Sequence, residues 1–195
     1  MTFPPDFTFP QAKAATAYVA AKVISALTPE RRTVVQAGGC VGLWPLALSK
    51  YFQTVYTFEP AQTNFECLEA NIASQGNIWA FRAALGATRK QVGLTRHKTQ
   101  AGLWRVDGEG DIQMETLDGV LRDEPIDALV LDVEGSELPA WWGAERLIDT
   151  YHPLLWFEYL QNTPAIEAFM RDHGYAPPMC GIGNDYYSIH ASRMH

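Results

Sequence analysis

Apolar positions along this chain alternate between stretches that repeat near every 3.6 residues and short runs rich in β-branched or aromatic residues. That alternation predicts helices and strands in turn. From Gln11 to Leu27 the apolar residues Ala15, Val19, Val23, Ile24 and Leu27 share a helical spacing, and Thr28-Pro29 ends the run. Thr33 to Ala37 reads as a strand that stops at two glycines, and a helical pattern follows from Val41 to Phe52. Thr54 to Phe58 is a second strand, Gln62 to Ile72 an amphipathic helix closed by Gly76-Asn77, and Ile78 to Arg82 a third strand. Strand, helix, strand, helix, strand requires parallel pairing with right-handed crossovers.

Near residues 88–115 the pattern weakens into polar residues, glycines and short alternating runs, which predicts a β excursion. The sheet resumes at Ala128 to Val133, whose nearly unbroken apolar content fits a strand covered on both faces. A helix over Leu138 to Ile148, a strand over Leu154 to Phe157 and a helix over Ala165 to His173 come next. Two last β runs, near Tyr175 and over Tyr186 to His190, suggest an antiparallel hairpin. The expected fold class is α/β, a Rossmann-like, doubly wound, mostly parallel sheet. One domain covers 1–195, with residues 1–30 as a helical lead and 31–195 as the core.

Composition narrows the partners. The chain has 195 residues, 47% of them hydrophobic and 19% charged, with 15 Gly and 12 Pro, which excludes a disordered or collagen-like chain. A net charge of −7 leaves no basic footprint for nucleic acid or anionic lipid. The longest mostly apolar stretch, Ala14 to Leu27, is interrupted by Lys22 and is too short to cross a bilayer. No leader peptide is expected. Cys40, Cys67 and Cys180 are odd in number and widely spaced, so a reduced, cytoplasmic setting is expected rather than a disulfide framework or zinc site.

In a doubly wound sheet, ligands bind beyond the carboxyl ends of the strands where strand order reverses. The first strand ends there in Ala37-Gly38-Gly39-Cys40-Val41-Gly42, and a helix follows. Glycines allow a sharp turn and a close backbone approach, and the helix start offers free N–H groups. Glu59 closes the second strand, 17 residues beyond Gly42, where a carboxylate can accept both hydroxyls of a ribose. A dinucleotide fingerprint wants glycine at position 37, so Ala37 counts against NAD. S-adenosyl-L-methionine needs no pyrophosphate cradle, only a backbone pocket, an acid and an adenine slot. The loop, Glu59 and the small pair Ala83-Ala84 after the third strand can supply them.

The fourth strand runs into Leu131-Asp132-Val133-Glu134-Gly135-Ser136-Glu137. Alternation places Asp132 and Glu134 on one side, and Ser136 is available as a helix cap. A carboxylate ending a buried apolar strand is costly unless bonded, which marks Asp132 as a structural acceptor or a functional group. Glu137 suits the first turn of a helix without any chemistry, and Glu158 adds an acid to the same rim.

These residues resemble the FkbM-type methyltransferases, S-adenosylmethionine-dependent enzymes associated with O-methylation of sugars and other natural products. The matching pieces run in order from about Thr33 to Tyr175. They are the glycine loop, Phe58-Glu59-Pro60 with Asn64, Leu68 and Asn71, Ala84-Leu85-Gly86, Thr116-Leu117-Asp118, the Leu131 to Glu137 run, Trp142-Gly143-Ala144, Pro153 to Glu158, and Gly174-Tyr175. The resemblance implies a class I methyltransferase fold. It also implies cofactor contacts from Gln36, Ala37, Gly38, Gly39, Gly42, Glu59, Pro60, Asn64, Ala83, Ala84 and Asp132, with Asp132 and Glu134 near the transferring methyl.

Two positions depart from the family pattern: Gln36 stands where an acid is usual, and Cys40 where asparagine is usual. Gln36 can still accept a hydrogen bond from the cofactor's amino group, without charge assistance, which predicts weaker affinity. Glu134 is the first candidate base for a hydroxyl acceptor, Asp132 the second and His97 the third. Trp104, Tyr186 and Tyr187 are candidates to stack on a sugar or apolar ring, and otherwise fill the core. The acceptor expected is a small molecule or glycan. Three rivals stay open: a divalent cation held by Asp132, Glu134, Glu137 and Glu158, a scaffold of the same fold without turnover, and an NAD oxidoreductase.

Overall fold

The first strand, β1 (Thr33–Ala37), is buried at every position, as its unbroken Thr-Val-Val-Gln-Ala run requires of a strand covered on both faces. The structure is a computed structural model that describes residues 1–4, 7, 10–96, 104–158 and 163–194. Strands β2 (Thr54–Phe58), β3 (Ile78–Phe81), β4 (Ala128–Leu131) and β5 (Leu154–Glu158) join β1 in parallel. The short β6 (Met179–Cys180) and β7 (Asp185–Ser188) complete a seven-stranded sheet, ordered β6-β7-β5-β4-β1-β2-β3, in which β7 runs antiparallel to both neighbours. The order reverses between β1 and β4, so the switch point lies where the sequence placed it. The expected C-terminal hairpin is present, and Tyr175 adds one bridge to His190.

Alternate residues of the central strands feed two apolar layers. Val34, Val55, Ala128, Val130 and Trp156 face α1 (Pro10–Leu27), α2 (Leu43–Leu48) and α3 (Gln62–Ile72). Val35, Leu129, Leu131, Leu155 and Phe157 face α4 (Glu137–Trp142), α5 (Glu145–Tyr151) and α6 (Thr163–Asp172). Burying each face under helices is what fixes a doubly wound sheet. No described helix is long and apolar enough to cross a membrane.

Three local expectations need correction. On α1 the buried stripe is Ala17, Ala20, Ala21 and Ile24, while Val19 is 49% exposed. Small residues let α1 lie close to its chief neighbour α2, and this outweighs the larger apolar side chain. The second helix spans only Leu43–Leu48, because Gly42 enters it at φ 95° and the chain turns at Ser49. Pro45 fits because it sits in the first turn, where an N–H has no intrahelical partner. The helix expected over Leu138 to Ile148 is two helices. Gly143 breaks them: a Cβ there would lie 2.0 Å from the Gly86 carbonyl oxygen, and Asp118 N–H donates to the Gly143 carbonyl at 2.9 Å. The Asp118 carboxylate then accepts from Arg146 and Leu147 N–H at 2.9 and 3.1 Å and starts α5.

The excursion forms two small sheets, Ala84–Leu85 with Ile112–Glu115 and Lys90–Val92, and Leu94–Arg96 with Trp104–Val106. At the opposite end from the glycine loop, the fully buried Asp127 carboxylate accepts from Arg32 N–H and Arg32 Nη2, both at 2.6 Å, and from Thr33 N–H at 3.3 Å. Replacing Asp127 with Ala would leave these donors unmet and is expected to lower unfolding free energy by about 2–3 kcal/mol, measured by urea denaturation.

Candidate active site

Register alone gathers the site. Ala37 is level with Phe58 and Leu131, and Leu131 with Phe157, so the next residues, Gly38, Glu59, Asp132 and Glu158, stand together along the carboxyl edge. Gly38 has φ 84°, and a Cβ on it would lie 1.9 Å from the Asp132 carbonyl oxygen. No other residue fits. The loop is tied to β2 by Gly38 and Gly39 N–H groups, which donate to the Phe58 carbonyl at 3.0 and 2.9 Å. Gly42 packs against Leu68 and Ile72 of α3.

Glu59 is 4% exposed, and its two carboxylate oxygens accept from Ala61 N–H at 2.8 Å and Cys40 N–H at 2.7 Å. Burial raises its pKa to about 7 against the pull of these bonds and of Asn64. Around it lies a partly open cleft, lined by Ala37, Gly38, Pro60, Asn64, Ala83 and Ala84, and by Asp132 and Glu134. Trp104 and Val106 from the excursion form a further wall. Trp104 therefore stands beside the Glu59 cleft rather than in a separate acceptor pocket. Tyr187 stacks on Trp156 with centroids 5.9 Å apart, and Tyr186 packs against the core, so both serve packing. His97 lies outside the described residues.

Gln36 and Gly42 line neither this cleft nor the one next to it. Gln36 is fully buried: its carbonyl accepts from the Thr57 hydroxyl at 2.6 Å, and its amide donates to the Ala37 carbonyl at 2.9 Å. In the ligand-free chain its carbonyl is thus engaged inside the sheet, with one lone pair left over.

Beyond β4 the chain turns sharply, with Glu134 at φ 55° and Gly135 at φ 93°. The turn brings one oxygen each of Asp132, Glu134 and Glu158 within 4.8 Å of one another, close enough for a divalent cation to bridge. Burial first, then Glu134, Glu158 and Asp185, raise the Asp132 pKa from 3.8 to about 8. Glu158 rises to about 7 for the same reasons. Glu137 stands apart: its carboxylate folds back to accept from Gly135 and Val133 N–H at 3.3 and 3.4 Å. It pins the turn that precedes the helix, while Ser136, at the N-cap position, makes no side-chain capping bond.

A second, more open cleft adjoins the first and shares Gly38, Cys40 and Asp132 with it. Gly39, Glu158, Asn184 and Asp185 form one side, and Lys13, Thr16 and Ala17 of α1 face them with Trp44 of α2. Lys13 and Asp185 were not singled out by sequence. Lys13 lies one turn ahead of the buried Ala17 and is itself exposed where it borders this cleft.

Residues 36–177 match the model of the methyltransferase FkbM domain. The chain belongs to that family. This FkbM domain is similar in fold to methyltransferase FkbM from Methylobacillus flagellatus KT, with TM-score 0.60 and 16% identity over 83% of this chain. The chain spans 44% of that protein's length. The ribosomal protein L11 methylase of Lactobacillus delbrueckii subsp. bulgaricus is similar at TM-score 0.56 and 15% identity, covering 96% of this chain and 83% of the other. Precorrin-6y C5,15-methyltransferase of Geobacter metallireducens GS-15 is similar at TM-score 0.54 and 12% identity, covering 97% and 91%. No curated protein matches the chain.

The raised acids give the FkbM domain a pH signature. Glu59, Asp132 and Glu158 hold protons in the folded state up to about pH 7–8, whereas ordinary carboxyls lose them near 4. The folded state therefore binds more protons across that window, and stability present below it is lost as pH rises through it. The melting temperature of the ligand-free domain is expected to fall between pH 5 and 8, and to fall less in Asp132→Asn, as followed by scanning calorimetry.

Proposed function

We propose that this domain transfers the methyl group of S-adenosyl-L-methionine to a hydroxyl of a sugar or another small molecule. The observation that carries this reading is the meeting of Gly38, Glu59 and Asp132 around one cleft. The residues present fit the cofactor. Glu59 keeps a lone pair for a ribose hydroxyl beyond the bonds it accepts from Cys40, Ala61 and Asn64. Pro60 and Asn64 flank it, and Ala83-Ala84 leave width for an adenine. Gly38 and Gly39 allow backbone contact where any side chain would intrude.

When bound, S-adenosylmethionine supplies a methyl group already activated on a sulfonium. The chain's own task is then to orient the acceptor oxygen behind it, and positioning of this kind can supply about 7–11 kcal/mol. Glu134 is the proposed base that takes the hydroxyl proton, because it lines the cleft and is held toward Asp132 by the turn at Gly135. Asp132 borders both clefts and supports an ionised, cation-facing role once a ligand charge is present. The net charge of −7 favours a small acceptor over nucleic acid, and the scattered cysteines suit a reduced, cytoplasmic setting.

A second reading, a scaffold that binds cofactor without turnover, is favoured by the one neutral, internally bonded position, Gln36. The two separate on measurement. Glu59→Gln is expected to weaken binding of S-adenosylhomocysteine about tenfold or more by isothermal titration, since charge-assisted bonds to the ribose are lost. Absence of wild-type binding at millimolar ligand would overturn both readings. Glu134→Gln is expected to lower kcat about 100-fold or more, within the range of general-base catalysis, while S-adenosylhomocysteine affinity stays within about threefold. A panel of glycans and small alcohols that yields no methyl transfer in the wild type would favour the scaffold.

A further inference from the structure

His173 follows α6 directly, and its side chain is only 10% exposed. The ring packs against Phe169 and Trp142, with centroids 4.1 and 6.1 Å away, so its orientation is held by aromatic neighbours. Two carboxylates of α5 reach it: Asp149 Oδ1 stands 2.7 Å from Nδ1, and Glu145 Oε1 stands 3.7 Å from Nε2. Glu145 and Asp149 are four residues apart, one turn of helix, which brings both to the same side of α5. Among the described residues neither acid pairs with a lysine or arginine. A single imidazole therefore serves two carboxylates, on the helical layer and away from both clefts, which none of the three residues lines.

The two contacts differ in kind. An ionised carboxylate can only accept, so the 2.7 Å contact to Asp149 puts the proton of a neutral ring on Nδ1 and leaves the lone pair of Nε2 facing Glu145. Across 3.7 Å these two acceptors make no hydrogen bond, and this nearly buried nitrogen has no other partner among the described residues. The gap suits a metal ion bonded to both. Zinc sits about 2.0–2.1 Å from an imidazole nitrogen and about 2.0–2.2 Å from a carboxylate oxygen, and a bent nitrogen–metal–oxygen arrangement of such bonds spans it. The Asp149 bond is then the outer contact that aims a ligating histidine. We infer that Glu145, Asp149 and His173, whose ligand atoms lie within 4.8 Å of one another, form a site for a divalent ion of the zinc class. Nε2 of His173 and Glu145 ligate, Asp149 orients the ring, and water fills the other positions. The imidazole selects against Mg²⁺ and Ca²⁺, which favour oxygen alone. An ion here clips the start of α5 to the end of α6, and because those helices meet only in the folded chain, it stabilises the fold.

The test titrates zinc chloride, and separately magnesium chloride, into the untagged whole chain after EDTA treatment and dialysis, by isothermal calorimetry with melting temperature as a second readout. The wild type is expected to take up one zinc ion, to melt at a higher temperature with it, and to respond to neither measure with magnesium. Asp149→Asn, which keeps an acceptor for Nδ1–H, is expected to weaken zinc about tenfold, and His173→Gln by more. Glu145→Gln changes a half-exposed side chain and leaves the buried ring in place, so it tests the ligand even where His173→Gln destabilises the fold; it too is expected to cost about tenfold or more. The proposal is overturned by absence of zinc binding to the wild type, or by magnesium binding as tightly as zinc, which would mark only a general attraction of cations to acids. Zinc affinity unchanged in Glu145→Gln and His173→Gln would place the ion elsewhere, the Asp132 rim included, and overturn it as well. None of these outcomes bears on the methyl-transfer reading.

Discussion

The contact between the Gly38 backbone and the Asp132 carbonyl governs this molecule. Where a Cβ on Gly38 would stand, the Asp132 oxygen is only 1.9 Å away, so the ends of β1 and β4 meet closer than any side chain permits. Asp132 N–H donates back to the Ala37 carbonyl at 3.0 Å, which locks the approach from the other side. With that distance fixed, parallel register puts Glu59 and Glu158 on the same rim without further specification. It also explains why Gly38, Cys40 and Asp132 border both clefts: the loop that joins them is the partition.

Close approach creates an electrostatic problem that the fold leaves for a ligand to solve. Asp132, Glu134 and Glu158 converge in a partly water-excluded space, where repulsion and burial favour keeping protons on two of them. A site that holds protons when empty and releases them when a cation arrives has affinity that rises with pH, because the ionised form then faces an opposite charge. The same acids that burden the ligand-free fold would thus reward a cationic occupant. A structural ion pair such as Arg32–Asp127 does the reverse, bringing its own compensating charge and holding the two strand starts together without any ligand.

Periodicity sufficed for the sheet because each central strand is buried on both faces, and a run such as Val34-Val35 or Ala128 to Leu131 admits no other environment. The rim residues were equally legible, since strand ends follow directly from strands. What escaped was set by contacts between segments distant in sequence. The break at Gly143 answers to Gly86 and Asp118. The buried face of α1 answers to how near it can sit to α2, which favoured Ala17, Ala20 and Ala21 over Val19. The role of Glu137 was hidden likewise: local pattern offers Ser136 as the cap, and only the turn at Glu134 and Gly135 presents the N–H groups that Glu137 takes.

Position 36 shows how charge can be relocated without rebuilding a fold. An acid there would be wholly buried beside Thr57 and the Ala37 carbonyl, and would need a ligand's charge to offset the loss of water. Glutamine meets the same two neighbours with a carbonyl and an amide, so every polar atom of its side chain has a partner whether or not the cleft is filled. The sheet centre gains independence from ligand, while the carboxylates that border the clefts stand one and two strands across, at the ends of β4 and β5. Those carboxylates can take up or release protons beside an open cleft, whereas an acid at position 36 would lie wholly inside the sheet and could only be neutral or paired.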